Sequence, residues 1–376
     1  MFGKVRLEKN QSIFNKIQAM SWGLIILILI MASIGFMALY SAANGNLDPW
    51  ASKQIMRFSV GLIGMFIIAL IDIKIWFKLV FPVYIIGIIL LIVVEVMGHI
   101  GMGAQRWINL GFIQLQPSEF MKIAVVMALA KYFHSVTAED IRSLKFLILP
   151  VVFIMLPVLL VLLQPDLGTS LMIVMAGIGV IFLAGAPIWI FLVGGGTVLA
   201  SIPIFWHLMH EYQKKRVMTF LNPESDPLGA GYHITQSKIA LGSGGLEGKG
   251  FLEGSQSRLN FLPEKQTDFI FTLWAEEWGF LGGMFLIAIT GLIIAYGFFI
   301  AMRCRHSFGR LLSMGLMINF SLYVFINIGM VMGLLPVVGA PLPLVSYGGT
   351  SMLAILVSFG LIQSCAIHQD SKMTRG

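Results

Sequence analysis

Long apolar runs separated by short polar breaks fill most of the chain, and none of the runs alternates residue by residue as a barrel strand does. About 20 apolar residues cross a bilayer core, where lipid offers the backbone no hydrogen-bond partner, so each run predicts a spanning helix. The expected spans are about Met20–Tyr40, Ile55–Ile71, Leu79–Met97, Pro117–Phe133, Phe146–Leu163, Leu171–Ala184, Ile188–Leu208, Phe280–Met302, Leu311–Met332 and Ser351–Ile367, the eighth beginning as early as Phe269. The predicted fold is an all-α integral membrane protein of about ten transmembrane helices, one polytopic domain over 1–376. A single region departs from the pattern. From about Tyr212 to Glu277 the chain is rich in glycine and charge. The block 209–279 is therefore expected as a large extracytoplasmic loop between helices 7 and 8.

The breaks carry their own signals. Gly98 to Ile108 is too glycine-rich for a helix interior. Pro117 and Ser118 suit the first turn of helix 4. Gln164-Pro165-Asp166-Leu167-Gly168 interrupts two apolar runs, and Pro336, Pro341 and Pro343 rule out one straight helix over Leu334–Gly349. No internal repeat is visible, so the inverted-repeat logic of many transporters has no support.

Composition agrees with the pattern. The 376 residues are 57% hydrophobic and 11% charged, where soluble domains carry about 25% charged residues. Mean hydropathy is +0.88. The net charge is +7, which fits the Lys and Arg excess of cytoplasmic loops or, at individual residues, an anionic substrate or lipid. Ten spans put both ends on one side. That side holds Lys4, Arg6, Lys9, Lys16, Lys74, Lys78, Lys131, Arg142, Lys145, Arg303, Arg305, Arg310, Lys372 and Arg375. The short loops opposite hold Lys53, Arg57 and Arg106. Both termini are expected in the cytoplasm, with the first run retained as a signal anchor. Cys304 and Cys365 match no metal-site spacing, and no structural disulfide is expected.

Charges in or near apolar runs are the candidates for chemistry, because each is costly in lipid. Glu119 and Lys122 are three apart on one helix face, as an ion pair or the wall of a polar cavity. Asp166 suits a helix cap or the same cavity. Arg106, beside Trp107, suits phosphate recognition or a snorkelling anchor. The polar region adds Lys214, Lys215, Arg216, Lys238, Lys249 and Arg258. Its glycine run from Leu241 to Gly250 can bring backbone amides to a phosphate or serve as a turn. Glu264 and Asp268 share a face if their segment is helical, and a carboxylate there is a candidate general base. No zinc spacing, phosphate-binding P-loop or nucleophile elbow is present.

Several stretches together resemble a known family: Arg106-Trp107-Ile108, Gln116 to Lys122, Gln164 to Thr169, Arg216 to Tyr232, Gln236-Ser237-Lys238, the glycine run, Phe261 to Phe271, and Leu334 through Ser351. They resemble the SEDS proteins (shape, elongation, division and sporulation), and more the elongation branch, RodA, than the division branch, FtsW. Gln266 departs from the pattern, in which many relatives carry His. The resemblance implies a peptidoglycan glycosyltransferase that polymerises lipid II in the bacterial inner membrane. It implies Asp268 as the essential acid, Glu119 and Lys122 as the charged pair and Arg106 as the cavity arginine. Asp166, Arg216, Lys238, Lys249 and Glu264 complete the expected substrate-binding set. A divalent cation, Mg²⁺ or Mn²⁺, is expected near Asp268 and Glu119, because the leaving pyrophosphate is anionic. The implied partners are a class B penicillin-binding protein, the cell-elongation complex and membrane lipid, with no nucleic acid. The competing expectation is a flippase or transporter of lipid-linked sugars, with Glu119, Lys122 and Asp166 along its path. A third is a non-enzymatic scaffold for other wall enzymes.

Overall fold

The computed structural model describes residues 12–101, 104–109, 111, 114–137, 139–209, 211–223, 229–259, 261–262 and 264–373. The basic terminal residues Lys4, Arg6, Lys9 and Arg375, and Pro263 of the Phe261–Phe271 motif, lie outside them.

The helices in chain order are α1 (Ile13–Gln18), α2 (Trp22–Ala42), α3 (Ala51–Leu70), α4 (Ile73–Met97), α5 (Pro117–Ser135), α6 (Ile148–Leu163), α7 (Leu167–Leu183), α8 (Ile188–Leu208), α9 (Glu211–Leu221), α10 (Ala230–Ser243), α11 (Ser255–Arg258), α12 (Ile270–Arg303), α13 (Ser307–Val331) and α14 (Gly349–Ile367). Seven stretches among the described residues are long and apolar enough to cross a membrane: α2, α3, α4, Leu144–Leu163, α12, α13 and α14. The apolar stretches Leu167–Leu183 and Ile188–Ile204 are shorter. Helix α5 is interrupted by Glu119, Lys122 and Lys131. Each of the ten expected runs coincides with a helix, and seven of them meet the length and composition of a span. The protein is a multi-pass membrane protein.

Burial sorts the helices. Helix α5 is interior, and every residue from Met121 to Ala130 is buried. Its alanines let neighbours approach closely, as small residues do in membrane bundles. Gly315 of α13 does the same: a methyl there would lie 2.6 Å from both Val126 of α5 and Val180 of α7. Helix α14 packs along α3, α13 against α12, α5 and α7. Helix α4 turns Ile85, Ile86, Ile89 and Ile92 outward, the face a lipid-contacting helix presents.

Two regions differ from the sequence expectation. The glycine-rich break after α4 is a three-stranded antiparallel sheet, β1 (His99–Gly101), β2 (Ala104–Asn109) and β3 (Gln114–Leu115), in that order. Gly111, at φ +86°, supports the turn between β2 and β3. The polar region is also more ordered than a loop. It carries α9, α10 and α11, and its glycine run is packed against α12. Helix α12 breaks at Gly279 (φ +63°), which separates its first turns from the apolar stretch. The glycine run bridges that break. Lys249 N–H donates to Glu276 O at 3.1 Å and Gly250 N–H to Glu277 O at 3.0 Å. Phe280 and Leu281 N–H groups donate back to Gly245 and Leu246 carbonyls. A methyl on Gly248 would stand 2.1 Å from Glu277 O. The glycines permit a backbone-to-backbone splice, and the Lys249 and Gly250 amides are spent on α12 carbonyls.

Candidate functional site

Asp268 sits in the turn 264–269 that leads into α12, half-buried, with its backbone held from one side. The turn is not helical: Glu264 has φ +53°, and Thr267 and Phe269 N–H both reach Glu264 O. The expected helical face shared by Glu264 and Asp268 is therefore absent. Glu264 is exposed, and its carboxylate accepts from Thr267 Oγ1 at 2.9 Å and Gln266 Nε2 at 3.4 Å. Lys265 in the same turn is buried, and burial pushes its ammonium below the usual lysine range.

The proline-rich segment between α13 and α14, together with Asn327 of α13, grips this turn. Tyr347 N–H donates to Gln266 O at 2.8 Å, Ser346 Oγ to Thr267 O at 2.6 Å, and Asn327 Nδ2 to Asp268 O at 2.9 Å. Three consecutive carbonyls are thus fixed. Ser346 is fixed in turn: its Oγ accepts from Leu342 N–H, and its carbonyl accepts from buried Gln54 of α3 at 2.8 Å. Gly339, at φ +76°, faces the carboxylate; a methyl there would lie 3.6 Å from Asp268 Oδ2.

The Glu119 and Lys122 charges of α5 form a closed pair. Lys122 Nζ donates to Glu119 Oε1 at 2.6 Å, with both side chains almost fully buried. The Tyr323 hydroxyl accepts from Lys122 and donates to Glu119 Oε2. Lys122 Nζ also lies 4.2 Å from the Tyr323 ring centroid. Asp166 is the N-cap of α7, accepting from Thr169 N–H at 3.2 Å and Thr169 Oγ1 at 2.9 Å. Arg106 reaches the same corner from β2. Its Nε is 3.6 Å from Asp166 Oδ2 and 3.3 Å from Gln164 O, and one terminal nitrogen donates to Pro165 O. Of the two sequence readings of Asp166 the structure shows the cap, with Arg106 standing beside it.

The remaining expected residues are dispersed. Lys249 Nζ pairs with fully buried Glu276 at 2.8 Å and bonds Ser255 Oγ at 2.7 Å. Lys238 of α10 is exposed and lies over Gly333 at the end of α13. Arg216 is on α9, and its side chain lies outside the described residues. Among the described residues no group of three or more His, Cys, Asp or Glu side chains is set to hold a metal. Glu119 does not fit one, because both its oxygens are bonded to Lys122 and Tyr323.

These motifs have counterparts in known proteins. The family model for FtsW, RodA and SpoVE, described as "Cell cycle protein", matches residues 14–371. The chain belongs to this family. It is 47% identical over 350 residues to the "Peptidoglycan glycosyltransferase MrdB" of Escherichia coli K12, covering 93% of this chain and 94% of that one. It is 36% identical to the "Probable peptidoglycan glycosyltransferase FtsW" of Trichlorobacter lovleyi, over 90% and 91% of the two chains. A chain from "Structural coordination of polymerization and crosslinking by a peptidoglycan synthase complex" superposes with a TM-score of 0.84 at 32% identity, over 94% of this chain and 99% of that one. The Thermus thermophilus rod shape determining protein RodA superposes at 0.71 with 30% identity, over 94% and 98%.

In this FtsW/RodA/SpoVE chain, two of the site contacts that sequence reading missed come from α13. Tyr323 and Asn327 lie four positions apart along it and are both buried. Polar side chains at helical spacing inside an apolar run are a legible signal. Ser346 and Gln54 had no such signal, because their role depends on two segments meeting far apart in sequence.

Proposed function

We propose that this protein polymerises lipid II into glycan strands during cell elongation, with Asp268 as general base. The observation that carries the reading is the turn of Asp268: a half-buried carboxylate on a backbone pinned at three successive carbonyls. A sugar hydroxyl is a weak nucleophile, and a fixed carboxylate within hydrogen-bond reach takes its proton as it attacks. The acceptor 4-hydroxyl attacks the donor anomeric carbon, the polyprenyl pyrophosphate leaves, and a single displacement inverts configuration. A recovered covalent glycosyl-enzyme would overturn that. Arg106 supplies positive charge for the leaving group, since its side chain stays 26% exposed.

Relatives named peptidoglycan glycosyltransferases, at up to 47% identity over nearly the whole chain, support the activity. The charge asymmetry of the loops supports an inner-membrane orientation with both termini cytoplasmic and 209–279 outside. The partner is a class B penicillin-binding protein of the elongation complex, as the similar chain from a peptidoglycan synthase complex suggests. A divalent cation, Mg²⁺ or Mn²⁺, would be held by Asp268 together with the substrate phosphates and would offset the negative charge of the leaving pyrophosphate.

The test gives wild type and Asp268→Ala the same lipid II and divalent cation, with and without the transpeptidase partner. Strands from wild type alone support the enzyme and its base together. Normal strands from folded Asp268→Ala refute the base. Labelled lipid crossing liposomes, with no strands in any condition, would favour the flippase.

A further inference from the structure

Asn327 is fully buried in α13, and its Nδ2 donates to two carbonyls, Asp268 O at 2.9 Å and Ala340 O at 2.7 Å. Its Oδ1 is buried without a partner. Turning the amide over would set Oδ1 against both carbonyl oxygens, so the two acceptors fix its orientation. An orphaned buried acceptor is unfavourable, and an aliphatic side chain of similar size would avoid it. What Asn327 contributes is therefore its two donors. Those donors tie together two pieces of chain. One carries the Asp268 carboxylate. The other is the Gly339–Ala340 backbone that the carboxylate faces, where a methyl would lie 3.6 Å from Asp268 Oδ2. Gly339 adopts φ +76°, so no side chain fills that gap.

We propose that Asn327 is a positioning residue: one amide group sets the spacing between the Asp268 carboxylate and the Gly339 backbone, the slot in which the acceptor hydroxyl is deprotonated. The proposal rests on Asp268 being the base. It does not make Asn327 the sole support of the turn, because Ser346 and Tyr347 hold Thr267 and Gln266 independently. Loss of Asn327 should loosen the slot and leave the fold.

The experiment compares purified wild type, Asn327→Ala, Asn327→Ser, Asp268→Ala, the double variant Asn327→Ala/Asp268→Ala, and Asn319→Ala. Asn319 is a buried asparagine about two turns away on α13 and serves as the control for cutting an amide out of that helix. Each is assayed for lipid II polymerisation and thermal unfolding. The expected result is that Asn327→Ala unfolds close to Asn319→Ala but loses about ten- to a hundredfold in kcat, the scale of a small misplacement of a reacting group. KM for lipid II stays within about twofold, and the double variant is no slower than Asp268→Ala alone. Asn327→Ser keeps one donor and replaces the alanine variant if that does not fold. Wild-type kcat in either folded variant overturns the proposal, as does a loss confined to KM. Failure of both to fold while Asn319→Ala folds would assign the residue to the frame alone and also overturn it. Normal activity in Asp268→Ala would instead sink the base assignment itself; an inactive Asp268→Ala beside a wild-type-like Asn327→Ala would sink only this inference.

Discussion

Replacing Lys249 by Met removes the cation that pairs with Glu276, whose side chain is 0% exposed. Glu276 Oε1 receives Lys249 Nζ at 2.8 Å, the Gln256 N–H at 2.9 Å and Ser255 Oγ at 3.4 Å. Breaking a buried pair on one side costs about 3–5 kcal/mol, because a charge is left in a poor solvent. Two bonds to Glu276 survive the change, and the lysine side chain is 25% exposed, so water replaces part of what it gave. The lower end, about 3 kcal/mol, follows. Adding Glu276→Gln removes the buried charge and should recover about 2 kcal/mol, a coupling typical of contacting residues. The assay is thermal unfolding of the purified protein in detergent, read by tryptophan fluorescence, together with limited proteolysis across 244–259. KM for lipid II is measured in parallel and is expected to stay near wild type, because Lys249 clasps the glycine run to α12. Unchanged unfolding with a raised KM would refute the reasoning. It would return Lys249 to the substrate-binding set and leave the ion pair little part in stability.

Acid should destabilise the end of the bundle where α12 passes into α13. His306 caps α13 through Nδ1, which accepts from Gly309 N–H at 2.9 Å, and burial pushes its imidazole down to about 4. The folded state then binds fewer protons than the unfolded chain below the unperturbed value of about 6.5, so stability is full above 6.5 and falls as pH drops toward 4. At about 1.36 kcal/mol per pH unit the loss is about 3 kcal/mol. His306→Asn keeps a capping side chain and should flatten this slope in unfolding measured from pH 7 to 4; an unchanged slope counts against the assignment. A chelator should stop strand formation, and Mg²⁺ should restore it, with the thermal midpoint unmoved throughout. A midpoint that falls with chelation would point to a resident metal site instead.

The helical frame was legible because its cause is local. A run of apolar residues needs no partner to declare itself, and the ten expected runs each coincide with a helix. Pro117 at the first turn of α5 and Asp166 at the cap of α7 were also legible, since caps and first turns are set by a few neighbouring residues. The polar region was not. Its glycines suggested a turn or a phosphate cradle, and only the folded chain shows them spliced against a helix break at Gly279. The helix supposed for Glu264 and Asp268 failed for a similar reason. Glu264 in the left-handed region turns the chain, and the carbonyls that a helix would bond internally are taken by Asn327, Ser346 and Tyr347 from about 60 to 80 residues away. Long-range capture of backbone carbonyls leaves no periodicity in the sequence.

Cost separates frame from chemistry among the charges of this protein. A charge held in or near lipid must be paired, and once every lone pair and proton is matched it has little left to offer a substrate. Glu119 and Lys122 meet that description with Tyr323: a closed triad, buried on all sides, joining α5 to α13. Glu276 meets it at the polar surface, fully buried and held by Lys249, Ser255 and the Gln256 N–H. Asp268 and Arg106 keep more accessible surface than the triad. Both are half-buried: the Asp268 carbonyl accepts from Asn327 Nδ2, and the Arg106 guanidinium donates to the Gln164 and Pro165 carbonyls beside Asp166. Rigid support with residual exposure is what a reacting group needs, because orientation is settled before the substrate arrives. On that criterion the closed triad ties α5 to α13, and the proposed chemistry falls to the turn of Asp268 and the corner of Arg106.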